Sequence, residues 1–237
     1  LIREPTRRPF HGERQDSEMG ELVSFYRDNG RVLLFHHLGF VSLVLMGYAF
    51  VFWSVTFFVR VHGVPAAEAS QIFGWIFIFF GPLGPLAVAY LARRLSDRGH
   101  QDANITAGMI GGMLTIPTVL LIQIAPSATW AFVLYAPALL AVNSPFGIAA
   151  GALPVITPPH LRARVAAVYM LTGAVGMMFG PPLAGAFNEY IFPGADGVRY
   201  SMITMTCLFG FVGIVFLWLA RRPYAVAMRN SEAWAED

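Results

Sequence analysis

The sequence predicts an all-α integral membrane protein whose six transmembrane helices form two inverted three-helix repeats. Three observations lead to this prediction. The 237 residues are 56% hydrophobic and 13% charged, against about 25% charged in an ordinary soluble domain. Six apolar stretches are long enough to cross a bilayer, which takes about 20 residues. Interruptions by Gly and Pro recur at corresponding positions in the two groups of three stretches.

The apolar stretches cover residues 32–59, 71–92, 105–125, 129–157, 164–187 and 201–220. The connections are short, so we expect residues 32–220 to form one six-helix bundle. Residues 1–31 are polar and mixed in charge, which predicts a cytoplasmic linker with a short surface helix around Glu18 to Arg27. Residues 221–237 are expected to form a cytoplasmic tail. The chain begins at Leu1 with no signal-peptide pattern, which suggests a fragment of a longer protein.

The distribution of arginine predicts the orientation in the membrane. All 16 basic residues are Arg. Fourteen of them lie in or next to segments 1–31, 93–104, 158–163 and 221–237, which share one side, and only Arg60 and Arg199 lie on the other. By the positive-inside rule both termini are cytoplasmic. We expect the protein to be integral to the cell membrane, the inner membrane of a bacterium.

Gly and Pro interrupt the second apolar stretch of each group of three. Because each group has an odd number of spans, the two groups must be inverted relative to each other. Gly/Pro-interrupted segments at corresponding positions are typical of transporters built from inverted repeats. The alternative is that Gly and Pro are simply frequent in membrane helices. The predicted helix-bend residues are Gly81, Pro82, Gly84, Pro85, Gly180, Pro181 and Pro182.

Two groups of polar or aromatic side chains could line a cavity within the bundle. One face of the first span, from Ser42 to Arg60, is more polar and aromatic than the rest of that helix, at spacings of three and four residues. In the fourth span, Asn143 lies at membrane depth, where a bare carboxamide is costly. The alternative for both groups is packing between helices. The candidates for a substrate cavity are Ser42, Met46, Tyr48, Trp53, Thr56, Asn143 and Ser144.

Other side chains argue against catalysis and metal binding. His36 and His37 are adjacent on a helix and point about 100° apart, so anchoring at the membrane interface is favoured over metal ligation. No Asp or Glu lies within the six apolar stretches. The sequence has no HExxH, GxSxG, Walker or paired-Cys motif. We therefore expect no enzyme activity, no cofactor and no metal, and the scattered arginines give no nucleic-acid signature.

Several segments resemble the C-terminal half of a major facilitator superfamily (MFS) transporter and, more loosely, its spinster-like branch. Residues 3–8 (REPTRR) resemble the exit of the sixth helix of that family. Residues 36–40 (HHLGF) and 56–63 (TFFVRVHG) are similar to its seventh helix. Residues 158–167 (PPHLRARVAA) and 176–185 (GMMFGPPLAG) resemble its eleventh helix and the entry to it.

The loop after the second span matches the family only in part. The family pattern is G-x-x-x-D-R-x-x-R-R-G, whose Asp locks one conformation. Aligning on Gly99 puts Arg93 at the Asp position, and aligning on Asp97 and Arg98 puts Arg93 at the Gly position. The resemblance therefore gives only candidate gate residues, which are Arg93, Arg94, Asp97, Arg98 and Arg162.

The resemblance implies secondary transport of a small-molecule solute by alternating access, with spans one and four lining the central cavity. The implied partners are the lipid bilayer, a missing N-terminal six-helix half, and protons that couple transport. Spinster-like relatives move amphipathic lipids and neighbouring branches move organic anions; Met46 and Trp53 favour the former. The alternative function is a non-transporting six-helix membrane scaffold or assembly protein.

Overall fold

The structure, a computed structural model, describes residues 15–232 as helices joined by short loops. No strand occurs in this part of the chain. The all-α fold with six membrane-spanning helices is confirmed. The segment 3–8 lies outside the described residues. The α-helices are α1 (Gln15–Asp28), α2 (Gly30–His62), α3 (Ala66–Phe80), α4 (Leu83–Asp97), α5 (Ala103–Gln123), α6 (Ala128–Val155), α7 (Arg162–Ala186) and α8 (Gly197–Glu232), and a π-helical turn (Phe187–Ile191) follows α7.

Four of the six spans are the single helices α2, α5, α6 and α8. The second span consists of α3 and α4 together, and the fifth consists of α7 and its π-helical turn. Most of the helices extend beyond the predicted apolar stretches because a helix can continue into water after its apolar part has ended. The clearest case is α8, which continues to Glu232, well past the apolar stretch that ends at 220. The predicted surface helix is present as α1.

Helix packing follows an inverted repeat of two triplets, α2 to α5 and α6 to α8. The first helix of the first triplet, α2, packs mainly against α8 and α7 of the second triplet. The first helix of the second triplet, α6, packs mainly against α5 and α4 of the first. Exchanging the triplets converts each of these contacts into the other. The bundle is thus held by contacts between the repeats more than within them.

A glycine allows close contact where each middle helix crosses the first helix of the other triplet. A Cβ atom at Gly180 of α7 would lie 2.5 Å from the carbonyl oxygen of Leu45 in α2. A Cβ atom at Gly84 of α4 would overlap the carbonyl oxygen of Leu140 in α6. Small residues of this kind let two membrane helices approach to backbone contact. Each of these glycines begins a Gly-Pro pair, Gly84-Pro85 in one triplet and Gly180-Pro181 in the other.

The two middle helices differ in how they are interrupted. In the first triplet α3 ends at Phe80 and α4 begins at Leu83, so the predicted break at Gly81 and Pro82 is present. In the second triplet α7 stays helical through Gly180 to Pro182, although proline removes hydrogen bonds of the helix. Contact with α2 holds this segment, and the helix departs from α geometry only at Phe187–Ile191. The helix-bend role of Gly180, Pro181 and Pro182 stays a prediction.

The middle helices of both triplets are the least buried spans. Only 11% of the most apolar window of α3 and α4 and 22% of that of α7 is buried, against 50% for α2 and for α6. Their exposed side chains are large and apolar, including Trp75, Phe79, Leu171 and Phe179. The first helices therefore form the centre of the bundle, and the middle helices present apolar faces to lipid or to another domain.

Gly180→Ala is expected to lower the free energy of unfolding by about 1–3 kcal/mol, because the added methyl group overpacks a backbone contact. The matched control is Gly173→Ala on the same helix, where a Cβ atom would meet nothing within 4 Å. That control should be neutral or slightly stabilising, because Ala favours helix more than Gly does. Unfolding of the purified protein in detergent measures both changes, and equal effects at the two positions would contradict the assigned contact.

Candidate functional site

A pocket of about 180 Å³ lies between α2, α3 and α6. Helices α2 and α6 are the first helices of the two triplets, and α3 is the first part of the middle span of the first triplet. We call it the α2–α6 pocket. The ring of Tyr48 from α2 meets the ring of Phe146 from α6 edge to face, with centroids 5.9 Å apart. Apart from one tyrosine and one asparagine the lining is apolar. The lining residues are Gly47, Tyr48, Val51, Phe77, Val142, Asn143 and Phe146.

The two polar side chains of this pocket occupy corresponding positions in the two triplets. The backbone contact of Gly180 is with Leu45 and Ala49 of α2, and that of Gly84 is with Leu140 and Ser144 of α6. Leu45 therefore corresponds to Leu140 and Ala49 to Ser144. By the same offset Tyr48 corresponds to Asn143, so the pseudo-symmetry of the fold brings these two residues into one pocket.

Hydrogen bonding leaves polar atoms of the pocket available to a ligand. The side-chain nitrogen of Asn143 donates to the carbonyl oxygen of Leu139 at 2.9 Å, one turn earlier in the helix. Within residues 15–232 the carboxamide oxygen of Asn143 and the hydroxyl group of Tyr48 have no hydrogen-bond partner. A mostly apolar pocket with a few polar groups is the usual form of a small-molecule site, in which the polar groups fix the orientation of the ligand.

A second, more polar opening of about 490 Å³ lies between α2 and the end of α7. We call it the α2–α7 cleft. The indole nitrogen of Trp53 donates to the carbonyl oxygen of Pro181 at 2.9 Å, which ties α2 to α7 at the wall of the cleft. The π-helical turn contributes three of the lining residues. The lining residues are Trp53, Arg60, Pro182, Gly185, Ala186, Asn188, Glu189 and Tyr190.

Comparison with known proteins finds transporters among the similar proteins. No protein-family model matches the chain. An MFS-type efflux pump from Mycolicibacterium smegmatis is 24% identical to it over 189 residues, which are 75% of this chain and 42% of the pump. The chain thus spans less than half the length of this curated relative.

Solved structures of a bacterial homologue of the human lysosomal transporter Spinster are similar in fold. The inward-facing, occupied form matches with a TM-score of 0.66 at 20% identity, over 81% of this chain and 49% of that one. The inward-facing, unoccupied form matches with a TM-score of 0.60 at 20% identity, over 96% and 54%. The chain has the fold of an MFS half. The predicted resemblance is confirmed, and as the sequence predicts, the similar proteins are transporters and not enzymes.

Three of the predicted cavity residues lie away from the α2–α6 pocket and the α2–α7 cleft, and their part in a substrate cavity stays a prediction. The hydroxyl group of Ser42 is mostly buried and donates to the Leu38 carbonyl oxygen at 2.7 Å. Met46 is 1% exposed and packs on Gly210 of α8. Ser144 is buried on Gly111 of α5 and lines a different pocket, of about 270 Å³, between α4, α5 and α6.

The remaining predicted cavity residues are divided between two openings. Tyr48 and Asn143 line the α2–α6 pocket, and Trp53 lines the α2–α7 cleft. Thr56 is half-buried and lines neither opening. The spacing along α2 correctly puts Trp53 and Thr56 on one face, but it does not show that this face packs largely against α7. The roles of these four residues in binding stay predictions.

The predicted gate residues lie on the surface at one end of the bundle. Arg94 stacks on the ring of Tyr90 and donates from Nε to its hydroxyl group at 2.8 Å. Arg162 donates from Nε to the carbonyl oxygen of Thr157 at 3.1 Å. No partner of the exposed Asp97 carboxylate is found between residues 15 and 232. The structure does not join Arg93, Arg94, Asp97, Arg98 and Arg162 into one cluster, and their gating role stays a prediction.

An ion pair near this end of the bundle is formed by Asp102, which sequence reasoning missed. Its Oδ2 atom lies 2.5 Å from Nε of Arg221 at the end of the apolar part of α8. It also accepts a hydrogen bond of 2.9 Å from the hydroxyl group of Thr106. Burial alone would raise the pKa of Asp102, but these bonds and the charge of Arg221 outweigh burial and hold the pKa below its ordinary value. Thr106, one turn later, was the only local signal for this site.

Asp102→Asn is expected to lower the free energy of unfolding by about 1–3 kcal/mol at neutral pH, as for other hydrogen bonds to charged groups. The pKa of Asp102 is lower in the native protein than in the unfolded chain, so its stabilisation is present above the unfolded value, about 3.9, and is lost as the pH falls through the native value. The difference between wild type and variant should therefore shrink in acid.

Denaturant unfolding in detergent at a series of pH values measures this difference. The control is Asp97→Asn, which removes an exposed carboxylate at the same end of the bundle and should change stability little. A wild-type advantage over Asp102→Asn that stays constant into acid would contradict the assigned role of the ion pair.

Proposed function

We propose that this chain is the C-terminal half of a secondary transporter that moves a small amphipathic molecule across a membrane by alternating access. The observation that carries the proposal is the α2–α6 pocket, in which the pseudo-symmetric first helices of both triplets place Tyr48 and Asn143. Sites of inverted-repeat transporters lie at the interface between repeats. In this proposal the pocket is one wall of the substrate site.

The lining of the pocket favours an amphipathic lipid over an organic anion. Val51, Phe77, Val142 and Phe146 supply apolar surface, and no charged side chain lines the pocket. An anion would require a compensating cation, because an unpaired charge is costly to bury. Arg60, on the same helix as Tyr48, lines the α2–α7 cleft instead. The relative from M. smegmatis is named an efflux pump, and we infer outward transport for this chain as well.

The second wall of the substrate site is supplied by an N-terminal six-helix half. The exposed apolar faces of α3 and α7, which contribute Phe77 and Pro182 to the two openings, suit contact with such a half. The coverage of the similar structures, 49% and 54% of their chains, agrees with a missing partner of equal size. In this proposal both termini of the chain lie in the cytoplasm, because arginine is in excess at that end. The two halves rock about the site in the cell membrane.

Asn143→Ala in the full-length transporter is expected to lower kcat/KM for an amphipathic substrate about tenfold. The loss of one hydrogen bond to the ligand costs about 1.4 kcal/mol, which is a factor of ten in rate. Tyr48→Phe should have a similar or smaller effect. Proteoliposome transport of a fluorescent lysophospholipid, with fluorescein as the anionic competitor, measures the change.

Ser144→Ala is the matched control for this experiment. It alters the neighbouring residue of the same helix, but its side chain packs on α5 and should leave transport unchanged. Normal expression with unchanged transport in both pocket variants would count against the pocket. Wild-type protein that transports neither probe would favour the scaffold alternative.

Asp97→Asn is expected to shift the balance between inward-open and outward-open states. In this proposal the exposed carboxylate, which has no partner in the described part of the chain, pairs with the other half in one of the two states. Accessibility of cysteines introduced on the two sides of the membrane reports the balance. Asp196→Asn, at the opposite end of the bundle, is the charge-matched control, and identical accessibility before and after the Asp97 change would refute the gate.

A further inference from the structure

A pair of histidines is buried between α2, α6, α7 and α1. His36 is 0% and His37 is 8% exposed, so the sequence-based expectation that they anchor at the membrane interface is wrong. Their rings face each other with centroids 5.5 Å apart. The ring of Tyr169 from α7 lies 5.4 Å from His36 and 5.8 Å from His37. The ring of Tyr26 from α1 lies 6.2 Å from His37.

The hydrogen bonds of the pair determine where the protons of the neutral rings lie. Nε2 of His36 is 3.1 Å from the carbonyl oxygen of Ala149 in α6, and Nδ1 of His37 is 2.7 Å from the carbonyl oxygen of Leu33. A carbonyl oxygen only accepts, so each of these nitrogens must carry the hydrogen. The other nitrogens, Nδ1 of His36 and Nε2 of His37, are therefore bare acceptors.

Both bare nitrogens are buried and have no hydrogen-bond partner among the described residues. An unpaired polar atom in the interior costs free energy, and a buried polar group without partners calls for a reason. Imidazole nitrogens with a free lone pair bind protons near physiological pH. The six apolar spans contain no Asp or Glu, and the two bare nitrogens are therefore candidates for proton binding in the interior of the bundle.

We propose that His36 and His37 form a proton-binding site that takes up one proton for the pair. A single proton is expected because two imidazolium rings at this separation would repel each other in a low-dielectric interior. Uptake of the proton stands on the geometry alone; its coupling to transport rests on the proposed function.

The other groups that face the pair carry no charge. The titratable side chains that face the rings are Tyr169 on α7 and Tyr26 on α1, and α6 contributes only the carbonyl oxygen of Ala149. The hydroxyl oxygen of Tyr26 is also buried without a partner among the described residues. Burial raises the pKa of Tyr26 and keeps it neutral.

Protonation changes what the pair can bond to. A proton on Nε2 turns His37 into a donor on both nitrogens. The hydroxyl oxygen of Tyr26 on α1, which has no partner among the described residues, is an available acceptor. The new bond would attach α1 more firmly to α2. Protonation would thus strengthen the contact between α1 and the membrane bundle, at the junction with the segment that leads, in the proposed function, to the other half.

The test is nuclear magnetic resonance of the full-length protein in nanodiscs, labelled with ¹⁵N-histidine and ¹³C-tyrosine. Contacts with labelled Tyr169 assign the two rings without any variant. On acidification from about pH 8 to about pH 4, a range that spans ordinary histidine titration, one ring of the pair should lose its signal from a non-protonated nitrogen. Two rings that both keep this signal across that range would overturn the proposal.

Amide variants test the same site by function. His36→Gln and His37→Asn keep a donor for the Ala149 and Leu33 carbonyl groups, but an amide cannot take up the proton. We expect these variants to lose the wild-type pH dependence of proteoliposome transport, and His100→Gln to retain it. Retention of that dependence in the double variant would overturn the coupling. Proton uptake without any transport by the wild type would instead contradict the proposed function and leave the site standing.

Discussion

The fold depends on two backbone contacts, that of Gly84 with α6 and that of Gly180 with α2. At each contact a middle helix lies directly on the first helix of the other triplet, with no side chain between them. Membrane helices gain little from the hydrophobic effect when they associate, so close packing must supply the attraction. These contacts fix the height and rotation of α2 and α6 and thereby put Tyr48 and Asn143 into one pocket.

The spans and their repeat could be predicted from the sequence because both are local properties. Apolar length alone identifies a membrane helix, and the recurrence of Gly-Pro pairs identifies the segments that correspond. The Gly-Pro pairs that correspond, Gly84-Pro85 and Gly180-Pro181, mark the crossing points, and both lie within helices. The break at Gly81 and Pro82 has no counterpart in α7, where Met177 and Met178 occupy the corresponding positions.

The candidate site could be predicted only in part. Helical spacing shows which side chains share a face of α2, but not which helix that face meets, so Ser42 and Met46 were placed in a cavity although Met46 packs on α8. Asp102 and Arg221 are 119 positions apart in sequence, and no local pattern connects them. The burial of His36 and His37 likewise arises from α6 and α7, which a helix-by-helix analysis cannot bring together.

The length of α8 gives the bundle a rigid arm. Its 36 residues measure about 54 Å at about 1.5 Å per residue, well beyond the hydrocarbon core of about 30 Å. The turns beyond the apolar part do not swing freely, because the hydroxyl group of Tyr224 donates to the Ala152 carbonyl oxygen at 2.8 Å and accepts from Asn104 at 3.1 Å. A few degrees of tilt in the bundle are therefore magnified at the tip near Arg229, where a spectroscopic label would follow the half as a single body.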